Sequence, residues 1–407
     1  MGFVAVDNLE QGMIIGEDVR DINTRLLLSK GQKIDPKHIR ILKIWGVTEV
    51  NVVGAHSDRP LNVLPADPDK ERRVKQTLDT VFNQLSLQNP ILNEVYRAAL
   101  AYRLKSELPP SPAPEFGGVE DGEVLSAPEQ IRRQIQSIDA KLPEAPTIIS
   151  ELNDVIADPV ATSNDVAQVV NKSPSLAALL LKIVNSAYYG FPSRIDRISR
   201  AVTIIGTKEI SGLALGICVM RSFNDIPAEV IDMQAFIRHS LACGMVARIL
   251  GALKNLEQTE QLFVSGLLHD IGKLIVFKYL PEYTQRYMHL AISSGDSVFS
   301  TEKMILGMNH TQIARYLLKK WRLPQGLENN VVFHHCPGKA ADPIKAGILQ
   351  LADLIANALG IGTSGERTVP ACDEQILKSV GVTANTLQMV IRQAMHQLGP
   401  MEAIFSS

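Results

Sequence analysis

Seven residues of this chain have metal-binding side chains in surroundings that suit leucine. His239 lies in "FIRHSLACGMVARIL", His269 and Asp270 in "VSGLLHDIGKLI", and His310 heads "HTQIARYLLKKW". His334 and His335 follow "ENNVVF", and Asp353 falls inside "GILQLADLIANAL". A buried polar group without a partner costs about 2 kcal/mol or more, and a buried charge needs compensation of its own. Taken singly, such a histidine is more often a hydrogen-bonded core residue, and such an aspartate a cap or a surface group. Taken together, they are satisfied most simply by a shared metal ion. Imidazole nitrogen and carboxylate oxygen suit iron, manganese, nickel or zinc as divalent ions, and no thiolate cluster competes. Six of the nine histidines, His289 among them, fall between Arg238 and Asp353, which is too uneven for chance scatter. Lys273 follows His269 by four residues and Asp270 by three, so on one continuous helix it shares their face. There it either offsets an anion or snorkels to the surface.

These residues need helices to hold them, and the texture of the chain supplies such elements in its second half. From Phe3 to Val53 the pattern is strand-like, with short β-branched runs broken by glycine ("GMIIGEDV", "RLLLSKGQKI", "VTEVNVV") and one helix from Pro36 to Trp45. Asp35 is placed as its N-cap, Pro36 as its first residue and Gly46 as its C-terminal cap. Between Asp69 and Glu107 the period is helical, with Val74, Leu78, Val81, Phe82 and Leu85 at three- and four-residue steps and Pro90 as punctuation. "LPPSPAPEFGGVEDG", residues 108–122, crowds proline and glycine and reads as a linker. Thereafter helices alternate with short turns, among them Asn164 to Asn171, Ser175 to Tyr188, and Ser199 to Ile205 closing at Gly206. His310 follows Asn309, a good N-cap. The expected class is mainly α: a small α+β module over 1–66, a helical connector over 67–107, a Pro/Gly-rich linker over 108–128 and an all-α domain over 129–407.

Bulk properties narrow the function. The chain has 407 residues, is 45% hydrophobic and carries a formal net charge of −2, so it has no electrostatic footprint for nucleic acid or an anionic membrane. The opening "MGFVAVDNLEQGMII" does not read as a signal peptide, and charges interrupt every apolar stretch within about 15 residues, too short to span a bilayer. A cytoplasmic protein is expected. Cys218, Cys243, Cys336 and Cys372 form no C-x-x-C pair and read as isolated core or surface thiols.

The order His239, His269-Asp270, Asp353 resembles the H…HD…D signature of the HD superfamily of metal-dependent phosphohydrolases. Residues 130 to 350 resemble more narrowly an HDOD domain, the variant found in bacterial signalling proteins. The stretches that carry the likeness are "LPEAPTIISELNDVIADP", "SPSLAALLLKIVNSAYYGFPSRIDRISRAVTIIG", "GLLHDIGKLIV", "NHTQIARYLLKKWRLP", "FHHCP" and "LADLIANALG". The front end resembles, more loosely, the small module that precedes some HD-type signalling domains. The resemblance implies one or two metal ions held by His239, His269, Asp270 and Asp353, with His310, His334 and His335 completing a second site. Two departures stand against a full enzyme. Ala235, one turn before His239, replaces an acidic ligand, and "CPGKAADP" follows the histidine pair where cyclic-di-GMP phosphodiesterases have a glycine-tyrosine-proline motif.

Two functions follow. The favoured one is a signalling output or scaffolding module that binds a protein partner, or a nucleotide, around a structural metal, with homo-oligomers compatible. The alternative is a phosphohydrolase acting on a phosphoester or nucleotide. In that case Asp270 would orient a metal-activated water and Lys273 would steady a phosphate. Tyr188 and Tyr189 read as packing residues at a helix end.

Overall fold

A computed structural model describes residues 2–20, 26–54 apart from 45, 46 and 48, 68–105, 133, and 146–405 apart from 187, 192, 224 and 370. The expected linker and Gly46 lie outside the described residues. Strands β1 (Gly2–Ala5), β2 (Val19–Arg20), β3 (Leu26–Leu28) and β4 (Glu49–Val52) make two antiparallel pairs, β1 with β4 and β2 with β3. Gly2 stands opposite Val52 and Ala5 opposite Glu49. The described α-helix of this region, Pro36–Ile44, starts where Asp35 Oδ1 accepts from the backbone N–H groups of Lys37 (2.7 Å) and His38 (2.9 Å). Ile15, Ile34, Leu42, Val50 and Val52 form an apolar core of their own.

From Pro68 onward every described regular element is a helix. Helices Pro68–Val81 and Pro90–Lys105, in the stretch expected as a connector, bury Leu78, Val81, Leu92, Val95 and Ala99 in the same large core as the helices that follow. Polar contacts fasten them there. Arg103 Nε donates to Ala358 O at 2.8 Å, and Val369 N–H to Val81 O at 2.8 Å.

Local capping sets most helix ends. Thr162 and Asp165 form a capping box that starts Ser163–Asn171. Helix Ile198–Ile205 closes at Gly206, whose φ of 120° suits glycine. The helix expected over Ser175 to Tyr188 runs Pro174–Val184 and stops short of the tyrosines. Asn185 ends it: its side-chain amide donates to Leu181 O (2.8 Å) and Ile195 O (2.7 Å), while its carbonyl accepts from Ile195 N–H (2.7 Å). The chain is thereby turned inward.

Helix Met233–Leu253 is the one described helix long and apolar enough to cross a bilayer, with a mean hydropathy of 1.3, although Arg238 and Arg248 interrupt it as expected. Because 78% of its most apolar window is buried inside the fold, it has the surroundings of a core helix. Its N-cap is Asp232, which accepts from Gln234 N–H (2.9 Å) and Ala235 N–H (3.2 Å). Against it lies Thr259–Leu268, and the two backbones meet at glycines. A Cβ on Gly266 would lie 2.5 Å from Gly244 Cα, and one on Gly244 would lie 2.6 Å from Phe263 O.

Candidate metal centre

The pair His269-Asp270 is not inside a helix, as its sequence suggests, but at the joint between Thr259–Leu268 and Ile271–Tyr279. His269 caps the first helix and Asp270, at φ −100° and ψ 15°, precedes the second. The break swings both side chains to one interior point. Around that point stand His239 from Met233–Leu253, His310 at the head of His310–Lys320, His334 and His335 after Gln325–Phe333, and Asp353 from Pro343–Leu359. Asn309 caps the His310 helix as expected, in a capping box with Gln312. All seven sequence-selected donors converge, whereas His289 sits on the surface.

The donors form two groups: His239, Cys243, His269 and Asp353, and then Asp270, His310, His334 and His335. Within each, one ligand atom per residue lies within 4.8 Å of the others. His239 Nε2 and His269 Nε2 lie 3.2 and 3.5 Å from Asp353 Oδ1. Asp270 stands between the groups, Oδ2 at 3.2 Å from His269 Nε2 and Oδ1 at 3.2 Å from His310 Nε2.

Hydrogen bonds on the far side of three rings, those of His269, His310 and His334, set which nitrogen faces inward. A carbonyl can only accept, so His269 Nδ1 donates to Gly266 O (2.8 Å) and His334 Nδ1 to Val331 O (2.7 Å). His310 Nδ1 is 2.7 Å from Glu302 Oε2, which also accepts from the His310 backbone N–H at 2.8 Å. Backbone and carboxylate partners of this kind orient metal-ligating imidazoles. The inward atoms His269 Nε2, His334 Nε2 and Asp270 Oδ1 have no hydrogen-bond partner although they are buried. A neutral His269 therefore aims a lone pair at carboxylate oxygens.

Charge points the same way. Three buried carboxylates, Asp270, Asp353 and Glu302, face one buried ammonium, Lys273, which leaves two negative charges (three minus one) when the imidazoles are neutral. A proton on His269 offsets one of them. Burial opposes that proton, but Asp270 and Asp353 outweigh it and push the imidazole up to about 10. A divalent cation would offset both. Burial also works against ionised Asp270 and Asp353, yet their neighbours hold both carboxyls well below their usual range: His269 and Lys273 beside Asp270, and hydrogen bonds from His239 and His269 to Asp353. Burial, with His269 and His310 nearby, drags His334 down to about 3, so it is a neutral donor. The donor set therefore fits a divalent metal in number and chemistry, with the proton on His269 displaced when the ion binds.

Lys273 is buried, not snorkelling. Its Nζ donates to Asp270 Oδ2 (2.9 Å) and Ser364 Oγ (3.1 Å). Nearby Glu366 accepts from Val298 N–H at 3.0 Å, and burial pushes its carboxyl up to about 7. Cys243, Glu302, Ser364 and Glu366 were not singled out by the sequence reading. Spacing could have found two of them: Cys243 is one turn beyond His239, and Glu302 shares a buried stripe with Val298 and Leu306.

With this geometry in view, comparison with known proteins identifies the class. The HDOD domain family model matches residues 142–337, and this part of the chain is an HDOD domain. The crystal structure of an HDOD domain protein of unknown function from Geobacter sulfurreducens is similar, with a TM-score of 0.55 and 18% identity, covering 69% of this chain and 98% of that one. A protein from Marinobacter aquaeolei VT8, described as a candidate for signal transduction, gives a TM-score of 0.52 at 20% identity, covering 70% of this chain and 67% of that one. An uncharacterized protein of Treponema pallidum (strain Nichols) is 24% identical over 197 residues, 48% of this chain and 37% of that relative. The chain thus spans little more than a third of that relative's length. At these identities the solved structures establish the helical fold.

Proposed function

We propose that the chain is a cytoplasmic signal-transduction module whose HDOD domain carries one or two divalent ions, held by His239, His269, Asp270, His310, His334, His335 and Asp353, as part of its architecture. Iron, manganese, nickel or zinc suits these donors. The observation that carries this reading is the set of buried inward-facing atoms, His269 Nε2, His334 Nε2 and Asp270 Oδ1, that make no hydrogen bond within the protein. A bound ion supplies positive charge and couples metal binding to folding. The output is recognition of a partner protein, with the small N-terminal module (1–66) regulatory or dimer-forming and the linker (108–128) running between the helices of 67–107 and those of 129–407. The near-neutral net charge of −2 supports a protein or nucleotide partner over nucleic acid.

The hydrolase reading has one observation in its favour. His335, in the second donor group, is partly exposed, so that group alone has an edge open to water. Against it, Lys273 is already committed to Asp270 and Ser364. One experiment serves both readings. Elemental analysis of the purified protein is expected to find bound first-row metal, lost in the double substitution His269→Ala with Asp270→Ala. Unchanged metal content in that variant would discard the centre. Metal-dependent turnover of a panel of phosphoesters and cyclic nucleotides, abolished by Asp270→Ala, would replace the module reading with the hydrolase one.

A further inference from the structure

The first donor group contains a side chain that neither the family signature nor the sequence reading includes. Cys243 lies one helical turn beyond His239, is fully buried, and places Sγ 3.6 Å from His239 Nε2. The remaining cysteines belong to neither donor group among the described residues.

We propose that Cys243 is the fourth ligand of an ion held by His239, His269 and Asp353, so that this position is a closed, sulfur-containing structural site. The inference rests on the metal-binding reading above and goes beyond it in naming the thiolate. Two independent observations support it. Zinc bonds of about 2.3 Å to sulfur and about 2.0–2.1 Å to nitrogen in a tetrahedron put the two donors about 3.6 Å apart. The Sγ to Nε2 distance matches that edge. Nitrogen and oxygen donors on the same tetrahedron are about 3.4 Å apart, and the two observed distances to Asp353 Oδ1, 3.2 and 3.5 Å, bracket it. Secondly, His269 Nε2 is fully buried, points at this group and has no hydrogen-bond partner, so the space between the four donors needs an occupant.

Binding is written in balance as the Cys243 thiol losing its proton to solvent while the thiolate takes a place on the divalent ion. No electron moves. Four protein ligands leave no open position for water, which is the arrangement of structural rather than catalytic zinc sites. Sulfur also separates the two groups in metal preference: the Cys243 group suits zinc or ferrous iron, while Asp270 with three histidines suits a wider range. The competing arrangement without metal is a thiol donating to His239 Nε2.

Cobalt(II) loading of the metal-stripped full chain separates the cases. The expected spectrum has visible d–d bands and a near-ultraviolet thiolate-to-cobalt charge-transfer band. Cys243→Ser is expected to abolish the charge-transfer band while bound cobalt and visible bands persist through the remaining nitrogen and oxygen donors. Bound cobalt without a charge-transfer band, or a band that survives Cys243→Ser, overturns the thiolate ligand and leaves the metal centre standing. No bound cobalt overturns both. X-ray absorption on the zinc-loaded natural chain needs no variant: a sulfur shell at about 2.3 Å supports the assignment, and a shell of nitrogen and oxygen alone overturns it.

Discussion

Two buried polar clusters lie in the helical body, and they differ in whether the protein alone completes them. In one, Arg248 Nε donates to Glu260 Oε1 at 2.6 Å, while the hydroxyls of Tyr188 and Tyr189 donate to Glu260 Oε2 at 3.3 and 3.2 Å. The Arg248 guanidinium sits 4.3 Å from the centre of the Tyr188 ring. Burial, with Glu260 beside them, pushes both phenols well above their usual range, so they stay neutral donors. None of these four side chains has an orphaned buried atom, whereas His239, His269, Asp270, Glu302 and His334 each have one. Equal burial thus has two outcomes. A cluster that closes its own hydrogen bonds is a fastening, and one that leaves lone pairs facing each other is a receptacle.

The contrast can be broken most forcefully at the fastening. Arg248→Ala strands the Glu260 carboxylate, and a denaturant titration is expected to show a loss of about 3–5 kcal/mol, as for other broken buried pairs, with metal content unchanged. A parallel fall in bound metal would mean that the two clusters are one unit. Next in size is removal of the ion. At free metal 100 to 1,000 times its dissociation constant, binding stabilises by about 2.7–4.1 kcal/mol. A chelator should therefore lower the unfolding midpoint of the natural chain, and should leave the midpoint of the His269→Ala/Asp270→Ala protein where it was. A natural chain indifferent to chelation would place both clusters in the self-sufficient class. The smallest effect is expected from Tyr188→Phe, which removes one donor while Tyr189 and Arg248 continue to serve Glu260. A loss of about 1 kcal/mol is expected in the same titration, and one above about 3 kcal/mol would show that the phenol, not the guanidinium, holds Glu260.

Both clusters were only partly readable in the sequence, for different reasons. The histidines and aspartates of the centre stood out because their types clash with the apolar helices around them. Cys243 did not, since a buried thiol passes as a small apolar residue. Glu302 was hidden because its helix also carries polar surface residues. The Arg248 cluster escaped because its members come from three separate segments, and Tyr188 and Tyr189 gave away only that they pack. The break at His269-Asp270 was invisible for a related reason: "VSGLLHDIGKLI" has unbroken helical periodicity. The packing of helices Pro68–Val81 and Pro90–Lys105 into the main core depends on long-range contacts such as Arg103 with Ala358, which local spacing does not encode.

The crossing of Met233–Leu253 and Thr259–Leu268 at Gly244 and Gly266 has a mechanical corollary. Where main chain rests on main chain there is no rotamer to readjust, so these two rods slide or tilt only as a pair, carrying His239, Cys243 and His269 together. A change in the spacing of the candidate donors is then expected to come from the other elements, those bearing Asp270, His310, His334, His335 and Asp353.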